Sequence, residues 1–363
     1  GDDFAVLLED TYGESEIFAV ADRILEAVAQ PFSIAGRQLS VTASIGVAID
    51  PSRSSTGEVL LRSADVAMYL AKERGKGRYE IFQAEVHSSA FERLELKSAL
   101  SSAIQNDELV LHYQPIIDLV DRSIHGCEAL VRWDHPERGL IPPSSFIPLA
   151  EESGLIVPLG MWVLEESCSQ LRRWDAEHPE AASLKVSVNL SVRQIETPTI
   201  VDDIRAILDA HGVDPHRVTL EITESLLMDD PLLALGVLRR LKTFGISLSV
   251  DDFGTGYSSL SYLRDLPIDE IKIDQSFVAS MALPGGDDTI VRSVLDLGHN
   301  LGLAVVAEGV EDVETLVRLR DMGCDRAQGF LLSQPLPAED LAGLLDTDWF
   351  TRFASPSAPP EDW

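Results

Sequence analysis

The sequence is short of positive charge. Lys and Arg total 29 residues against 60 Asp and Glu, which leaves a formal net charge of -31 over 363 residues. Such a surface repels phosphate backbones and anionic lipids, so bulk charge argues against binding a nucleic-acid polymer or contacting a membrane. An anionic substrate would instead need metal ions or a few well-placed cations.

Cysteine is also scarce. Cys127, Cys168 and Cys324 are odd in number, widely spaced and set among apolar residues. We therefore expect buried thiols in a reducing compartment rather than a disulfide or a zinc site. No apolar run reaches the length of a membrane span, and no signal peptide is visible. We expect a soluble, cytoplasmic segment, and a start at Gly1 without Met suits the cytoplasmic end of a larger, membrane-anchored sensor.

Two adjacent carboxylates are the centre of what the sequence does contain. Asp251 and Asp252 end an apolar run and precede a Gly-x-Gly loop that cannot continue a strand. Apolar and polar residues alternate over residues 246–251, which is the period of a β-strand. Asp251 is therefore expected to point away from the face that packs against helices. Asp252 is expected where the strand gives way to a loop.

The same plan of a short strand with a polar residue near its C-terminal end recurs along the chain. The segments are 126–130, 186–191, 220–224, 271–274 and 305–309, and a last strand is predicted around 327–330. Helical patterns separate them, at 145–153, 159–178, 199–211, 231–244, 287–301, 313–322 and 338–345. This alternation favours a parallel sheet with right-handed crossovers.

One strand pair departs from that order. The strand at 108–117 is joined to the next by a turn around 121–123, and so short a connection requires an antiparallel pair. The predicted fold class is therefore α/β, a TIM-like (β/α)8 barrel with an antiparallel first strand. Active sites of such barrels lie at the rim formed by the C-terminal strand ends.

The part of the sequence that precedes the predicted barrel indicates a smaller α+β region. Residues 4–8 follow a turn and are expected to form a strand, and 14–30 form a helix. A hairpin with strands 32–35 and 39–49 turns at Gly36-Arg37, and a second helix covers 57–74.

Brought to one rim, the strand-end residues would form a strongly acidic cluster. Its members are Glu128, Asn189, Glu221, Asp251, Asp252, Glu308 and Glu311. Two like charges about 4 Å apart repel by about 4 kcal/mol at an effective dielectric near 20, and only Lys272 would offset them. The cluster therefore needs divalent cations. Oxygen ligands alone suit Mg2+ or Mn2+, and tandem aspartates can serve two ions, an arrangement used for attack on phosphorus.

Two family resemblances follow from motifs. Residues 1–83 resemble the C-terminal part of a GGDEF domain, the family of diguanylate cyclases, through Gly1-Asp2-Asp3-Phe4, Ser44-Ile45-Gly46-Val47-Ala48 and Ala64-Asp65-Val66-Ala67-Met68-Tyr69 with Ala71-Lys72. The rest of that family's signature and its metal-binding strand would precede Gly1, so we assign this part no cyclase activity.

Residues 95–347 resemble the EAL family of phosphodiesterases, which open cyclic di-GMP to linear pGpG. The motifs, specific as an ordered set, are Tyr113-Gln114-Pro115, Glu128-Ala129-Leu130-Val131-Arg132-Trp133, Asn189-Leu190-Ser191, Glu221-Ile222-Thr223-Glu224, Asp251-Asp252-Phe253-Gly254-Thr255-Gly256, Lys272-Ile273-Asp274, Ala307-Glu308-Gly309-Val310-Glu311 and Gln328-Gly329-Phe330. The predicted domains are a partial GGDEF domain at 1–83, a helical connector at 84–106, an EAL domain at 107–347 and a loose tail at 348–363.

The resemblance implies a role for each of these side chains. Ligands of a first metal ion are expected to be Glu128, Asn189, Glu221 and Asp251, with Asp251 and Asp252 serving a second ion. Lys272 is expected to orient the attacking water, and Glu308 to act as the general base or as a ligand of the second metal ion. Expected substrate contacts and rim residues are Gln114, Arg132, Glu311 and Gln328. Glu224 is expected to hold the 252–263 loop, which the family couples to a homodimer interface.

Other readings stay open. A strand-end acid on its own is more often a helix cap or a surface ion pair, and the loop residues Thr255, Tyr257 and Ser258 are expected to be structural. A non-catalytic receptor for cyclic di-GMP would use the same rim without turnover. A barrel lyase or aldolase could use Lys272 as a Schiff-base nucleophile, but surrounding carboxylates would keep that lysine protonated.

Overall fold

The protein divides into two compact units, Gly1–Ala99 and Leu100–Trp363, and each is described by itself. The structure is a computed structural model. It describes residues 4–8, 14–34, 37–39, 41–50, 56–82, 88–178, 182–224, 231–254, 263–282 and 288–345. The predicted domain boundaries within the chain stay predictions.

The described part of the N-terminal unit contains short strands and three long helices, the last of which ends beyond Ala99. Their bounds are α1 Glu14–Ala29, β1 Phe32–Ile34, β2 Arg37–Leu39, β3 Ile45–Val47, α2 Gly57–Glu73 and β4 Tyr79–Ile81, followed by α3 Ser88–Ala103. Strands β1 and β2 form an antiparallel hairpin, and β3 pairs in parallel with β4. Helix α2 packs closely on β3 at Gly46, where a Cβ atom would lie 1.8 Å from the Ala64 carbonyl oxygen.

Two strand predictions in this unit are wrong. Residues 4–8 are not in a strand, and Phe4 is 95% exposed, because no described strand lies beside them to accept their backbone hydrogen bonds. The predicted strand 39–49 is two separate strands with different partners, β2 and β3. An alternating pattern shows which residues can be extended, but it does not reveal which strand they pair with.

The C-terminal unit is built on a closed barrel. Its strands are β5 Leu109–Asp118, β6 Ile124–His135, β7 Gly139–Ile141, β8 Lys185–Asn189, β9 Val218–Thr223, β10 Ser247–Phe253, β11 Glu270–Ile273, β12 Ala304–Ala307 and β13 Arg326–Ala327. The order around the barrel is β5-β13-β12-β11-β10-β9-β8-β6, and the β5–β6 pair closes it. Strand β5 is antiparallel to both neighbours, which confirms the predicted fold.

Helices surround the barrel. They are α4 Pro143–Ser153, α5 Ile156–Glu177, α6 Val192–Ile195, α7 Ile200–His211, α8 Pro231–Phe244, α9 Gln275–Ala282, α10 Thr289–Leu301, α11 Val313–Asp321 and α12 Ala338–Ala342, with a 3-10 turn at Pro215–Arg217. Most of the predicted helices lie within a few residues of the observed ones. Elements β7, α6 and α9 were not predicted, because three to eight residues are too few to establish a helical or strand period.

The barrel wall separates apolar from polar side chains. On β11, Ile271 and Ile273 are buried and alternate with Glu270 and Lys272, which are buried as well. Because successive strand residues face opposite sides, the apolar pair faces the helices and the charged pair faces the barrel interior. The interior therefore holds charge rather than the usual branched apolar side chains.

The expectation of buried thiols is confirmed. Cys127, Cys168 and Cys324 are all buried and free. Burial raises the pKa of the Cys168 thiol to about 12 and that of the Cys324 thiol to about 12. Among the described residues, no helix is both long and apolar enough to cross a membrane.

Candidate active site

The candidate site lies at the C-terminal ends of the parallel strands. Neighbouring strands place their polar residues side by side, since Gln114 pairs with Glu128 and Asn189 pairs with Glu221 in the strand register. Side chains of paired residues on adjacent strands point to the same face of a sheet. The sequence prediction that these residues meet at one rim is therefore borne out by the register.

Lys272 is the centre of the cluster, and its side chain is 1% exposed. Its Nζ atom lies 2.6 Å from Glu308 Oε1 and 2.9 Å from Glu221 Oε2. It also lies 3.4 Å from Asp251 Oδ1 and 3.5 Å from Glu128 Oε2. Four carboxylates from different parts of the chain thus converge on one ammonium group.

The electrostatics of this group follow from its surroundings. Burial works to lower the pKa of Lys272, but the four carboxylates outweigh burial and hold that pKa well above its usual value. The lysine is therefore a fixed cation. Burial likewise acts to raise the pKa of Glu128, yet Lys272 and hydrogen bonds from Gln328 and Asn189 leave it below its ordinary value.

Other carboxyl groups in the cluster are shifted the opposite way. Burial raises the pKa of Glu221 well above its ordinary value despite the contact with Lys272, and the nearby Glu128 and Asp251 carboxylates add to the rise. Burial, together with Asp251 and Glu128, raises the pKa of Glu308 to about 7, against the attraction of Lys272. One lysine therefore does not neutralise all the acids around it.

A local irregularity brings Asp251 and Asp252 to the same site. In a regular strand these neighbours would face opposite sides, but the β10–β11 register shifts between Val250 and Phe253. Asp252 has a left-handed backbone with φ of 53°, and its N–H donates to Asp251 Oδ1 at 3.0 Å. A bulge of this kind redirects a side chain. Asp252 is the penultimate residue of β10, near the point where the strand was expected to give way to a loop.

The bulge creates a three-carboxylate group. Oxygen atoms of Asp251, Asp252 and Glu308 all lie within 4.8 Å of one another. Burial raises the pKa of Asp252 to about 6, and the neighbouring Asp251 and Asp274 carboxylates add to the rise. Each of the three residues offers an oxygen atom for a cation, and a cation would relieve their mutual repulsion.

Amide side chains complete the base of the site. Gln328 Nε2 donates to Glu128 Oε2 at 2.8 Å and to Gln114 Oε1 at 2.8 Å, and Gln114 Nε2 donates to the Ser333 carbonyl oxygen at 3.0 Å. Asn189 Nδ2 donates to Glu128 Oε1 at 2.8 Å. Both carboxylate oxygens of Glu128 therefore have a fixed amide donor.

The donor set fits a divalent cation such as Mg2+. Every candidate ligand supplies oxygen, and no described Cys or His belongs to the three-carboxylate group. Glu221 Oε1 is buried, and no described residue donates a hydrogen bond to it. A buried carboxylate oxygen without a donor is a costly arrangement that a bound cation would satisfy.

Comparison with known proteins places this architecture in a family. Residues 97–335, well over half of the chain, match the family model described as EAL domain. The chain belongs to the EAL domain family. Residues 1–78 match the model described as diguanylate cyclase, GGDEF domain.

Relatives of this EAL chain include two curated proteins. The bifunctional diguanylate cyclase/cyclic di-GMP phosphodiesterase MucR of Pseudomonas aeruginosa is 42% identical over 342 residues, which cover 94% of this chain and 49% of MucR. The cyclic di-GMP phosphodiesterase PdeR of Escherichia coli is 41% identical over 353 residues, covering 97% of this chain and 52% of PdeR. The chain spans about half the length of these relatives.

A solved structure resembles the barrel unit. The PaMucR phosphodiesterase in complex with c-di-GMP has a TM-score of 0.65 and 45% sequence identity to this chain. The match covers 68% of this chain and 99% of the solved one. The similarity thus extends over that whole EAL structure.

Two residues expected to touch substrate in this EAL site differ in their positions. Arg132 is half-buried on β6, four residues beyond Glu128, and donates to the Val131 carbonyl oxygen at 3.0 Å. Burial lowers its pKa, and the nearby Glu128 carboxylate opposes that shift. Glu311 is exposed, and no described residue forms a hydrogen bond or ion pair with it. Arg132 therefore lies close enough to the cluster to be influenced by the charge of Glu128.

Two further predicted residues have defined partners. Gln114 is buried, and both ends of its amide are engaged by Gln328 and Ser333. Its predicted role as a substrate contact stays a prediction. Glu224 is buried at the end of β9, and its Oε2 accepts a hydrogen bond from the Gly254 N–H at 3.0 Å. The rest of the loop that Glu224 is expected to hold, along with Thr255, Tyr257 and Ser258, lies outside the described residues.

The sequence analysis missed one acidic neighbour of the EAL site. Asp274 begins α9 with a hydrogen bond from the Ser276 N–H at 3.0 Å, and its carboxylate contributes to the raised pKa of Asp252. Its position two residues after Lys272 at a strand end was a usable signal.

Proposed function

We propose that this chain hydrolyses cyclic di-GMP to linear pGpG in a reaction that needs two divalent cations, Mg2+ or Mn2+. The observation that carries the proposal is the convergence of Glu128, Glu221, Asp251 and Glu308 on the buried Lys272. Support comes also from relatives whose names describe cyclic di-GMP phosphodiesterases and from a related structure solved with c-di-GMP.

The proposed metal ligands are carboxylate and amide oxygen atoms of the acidic cluster. Glu128, Asn189, Glu221 and Asp251 would hold one cation, and Asp251 with Asp252 would hold the other. Bound cations of this kind lower the pKa of a coordinated water and screen the negative charge of a phosphate. The close approach of the Asp251, Asp252 and Glu308 oxygens supports Glu308 as a further ligand.

The residues of the chain supply positioning and proton transfer. Lys272, fixed as a cation, would orient the attacking water and stabilise the negative charge that develops on the phosphate oxygens. The Glu308 carboxylate, 2.6 Å from Lys272 Nζ, would be the general base that accepts the proton of that water if it does not itself bind the second cation. The water oxygen bonds to phosphorus, one P–O ester bond breaks, and the leaving oxygen takes up a proton.

Because the chain is strongly acidic, binding of an anionic substrate depends on individual cationic and polar side chains near the site. A cyclic dinucleotide carries two negative charges, and the chain has a net charge of -31. Arg132 is the cation that β6 offers beside Glu128, so we assign it to a substrate phosphate or base. Gln328 and Glu311 complete the rim in this proposal. Gln114 would contact the substrate through its second N–H or second oxygen lone pair, since one of each is used by Ser333 and Gln328.

The test is a turnover assay in which the product is identified by mass. The wild-type chain with Mn2+ or Mg2+ should convert cyclic di-GMP to pGpG, and a chelator should stop the reaction. Glu128→Gln should abolish turnover, while Lys242→Met, which alters a half-exposed lysine paired with Asp269, should retain it. Folded wild-type protein that binds cyclic di-GMP but forms no product at any Mn2+ concentration would instead establish a non-catalytic receptor.

We further propose that the chain forms a homodimer through its EAL domain. We also propose that the protein is located in the cytoplasm. Leu232 and Leu233, at the start of α8, are exposed leucines that a second copy could cover. Three buried free thiols suit a reducing compartment. Sedimentation of wild type against Leu232→Asp tests the dimer, which the substitution should dissociate. A monomeric wild type would refute it.

A further inference from the structure

The strand that carries Asn189 is followed at once by an anchored loop. Strand β8 ends at Asn189, and the chain continues through Leu190 and Ser191 into the short helix α6. Asn189 itself is exposed at the mouth of the barrel, so packing on its own side chain does not fix it. Its backbone pairs with Glu221 of β9, and its position at the strand end depends also on how the following residues are held.

Gln194 holds this loop through a reciprocal cap. Ser191 Oγ accepts from the Gln194 N–H at 3.3 Å, while Gln194 Oε1 accepts from the Ser191 N–H at 3.0 Å and from Ser191 Oγ at 3.1 Å. Gln194 is only 3% exposed. Such a capping box fixes the first turn of a helix and the residue that precedes it.

Gly160 provides the space for this side chain. A Cβ atom at Gly160, on α5, would lie 2.3 Å from Gln194 Nε2 and 2.6 Å from Gln194 Oε1. The amide of Gln194 therefore lies flat against the α5 backbone, and only glycine leaves room for it. We call Gly160, Ser191 and Gln194 together the Gln194 clamp.

The Gln194 clamp connects directly to the acidic cluster. The Leu190 N–H, between the clamp and Asn189, donates to the Glu221 carbonyl oxygen at 2.8 Å. Asn189 Nδ2 then donates to Glu128 Oε1 at 2.8 Å. Movement of Ser191 would therefore displace Asn189 relative to both glutamates.

We propose that Gln194 is a positioning residue of the site: packed against Gly160, it fixes Ser191 and thereby the Asn189 amide that would bind a divalent cation. This inference rests on the proposed function, because Asn189 is assigned there as a metal ligand. Gln194 is assigned neither to the cation nor to the substrate. Its effect should be on how tightly the cation binds, since loss of a residue that orients a ligand typically lowers metal affinity 10- to 100-fold.

The experiment measures Mn2+ binding without substrate, by calorimetric titration and by the Mn2+-induced rise in Tm. Gln194→Ala should raise the half-saturating Mn2+ concentration about tenfold. Gln194→Glu should stay within about twofold of wild type, because a carboxylate oxygen accepts the same two hydrogen bonds from Ser191. Asp214→Ala is the matched control, since Asp214 caps the turn before β9, at the opposite end of the barrel, through the His216 N–H at 3.0 Å.

The contact between Gly160 and Gln194 allows a second test, in which Gly160→Ala has different expected effects in the wild-type and Gln194→Ala backgrounds. Gly160→Ala should weaken Mn2+ binding by pushing the Gln194 amide aside. In a Gln194→Ala background the same change should cause no further loss, because the space is then free. Additive losses would refute the clamp, as would unchanged Mn2+ affinity in Gln194→Ala or weakened Mn2+ affinity in Asp214→Ala.

The design separates this inference from the proposed function. If Gln194→Ala does not fold, Gly160→Ala and Gln194→Glu still give opposite predictions, weakened and retained Mn2+ binding. Wild-type protein that binds Mn2+ but leaves cyclic di-GMP intact would refute the hydrolysis, and the titrations would still decide the role of Gln194. Equal Mn2+ affinity in Gly160→Ala and wild type would overturn the positioning role.

Discussion

Replacing Lys272 by methionine should be one of the most damaging single changes to the barrel. The substitution keeps the volume of the side chain but removes the ammonium that four carboxylates share. Methionine is close to lysine in length and flexibility, so lost packing contributes little. The consequence should therefore be electrostatic and should depend on pH and on divalent cations.

The magnitude follows from the contacts. At about 3 Å each attraction is worth roughly 5 kcal/mol at an effective dielectric near 20, and burying the ammonium costs several kcal/mol in return. Removing one partner of a buried ion pair typically destabilises by about 3–5 kcal/mol. For a unit of this size that corresponds to a fall in Tm of roughly 6–20 °C in the absence of metal.

The assay is thermal unfolding of Lys272→Met and wild type in a chelator and in Mn2+. The deficit should be larger at pH 8 than at pH 5.5, because protonation relieves the uncompensated carboxylates. Mn2+ should raise the Tm of the variant by more than that of wild type, and turnover should fall at least 100-fold. Lys242→Met, which breaks a single half-exposed ion pair with Asp269, should lower Tm by only a few degrees. Equal Tm values for Lys272→Met and wild type without metal would refute the reasoning.

Three further predictions concern different parts of the chain. Because the pKa of Glu308 is raised to about 7, the folded state binds a proton that the unfolded state releases above about pH 4.5. Stability without metal should therefore fall by about 2.5 kcal/mol as pH rises from about 5 to 8, and Mn2+ should flatten this slope. A flat profile in chelator would contradict it. Glu224→Ala, which frees the Gly254 N–H, should lower kcat about tenfold with little change in far-UV circular dichroism, and Glu224→Gln should recover part of it; wild-type turnover in the alanine variant would count against this role. Gly46→Ala should destabilise the N-terminal unit by about 1–3 kcal/mol because its Cβ would overlap the α2 backbone, whereas Gly57→Ala, with open space around it, should not; equal unfolding midpoints would show that the overlap is relieved.

The barrel could be predicted from the sequence because most of its strands after β6 are separated by helices. The antiparallel first strand also followed from a single short turn. The strand at residues 4–8 was wrong because its apolar residues show the right period without a described strand beside them. The alternation of apolar and polar residues therefore predicts an extended conformation, whereas the partner of a strand depends on residues far away in the chain.

The candidate site was also predictable only in part. Strand-end positions predicted that Glu128, Glu221 and Lys272 would meet, and the barrel register brings them together. The sequence could not predict that Asp251 and Asp252 face the same side, because that depends on a bulge and a left-handed backbone at Asp252. Period-two reasoning assigns neighbouring residues to opposite faces.

Gln194 illustrates a third limit. The Ser-x-x-Gln spacing of Ser191 and Gln194 is visible in the sequence as a possible capping box. That Gly160 on a different helix receives the Gln194 amide is visible only in three dimensions. Residues that position a ligand from behind carry no acidic or nucleophilic signature, so chemistry-based reading of the sequence passes over them.

Crystals of the protein grown with Mn2+, measured for anomalous scattering, test the central claim most directly. The account predicts two anomalous peaks about 3.5–4 Å apart beside Lys272, with Asp251 within coordinating distance of both. It also predicts that the peaks vanish in Glu128→Gln or shrink to one. Mn2+ bound only on the outer surface, with the Glu221 and Asp251 carboxylates still paired to Lys272 alone, would contradict it.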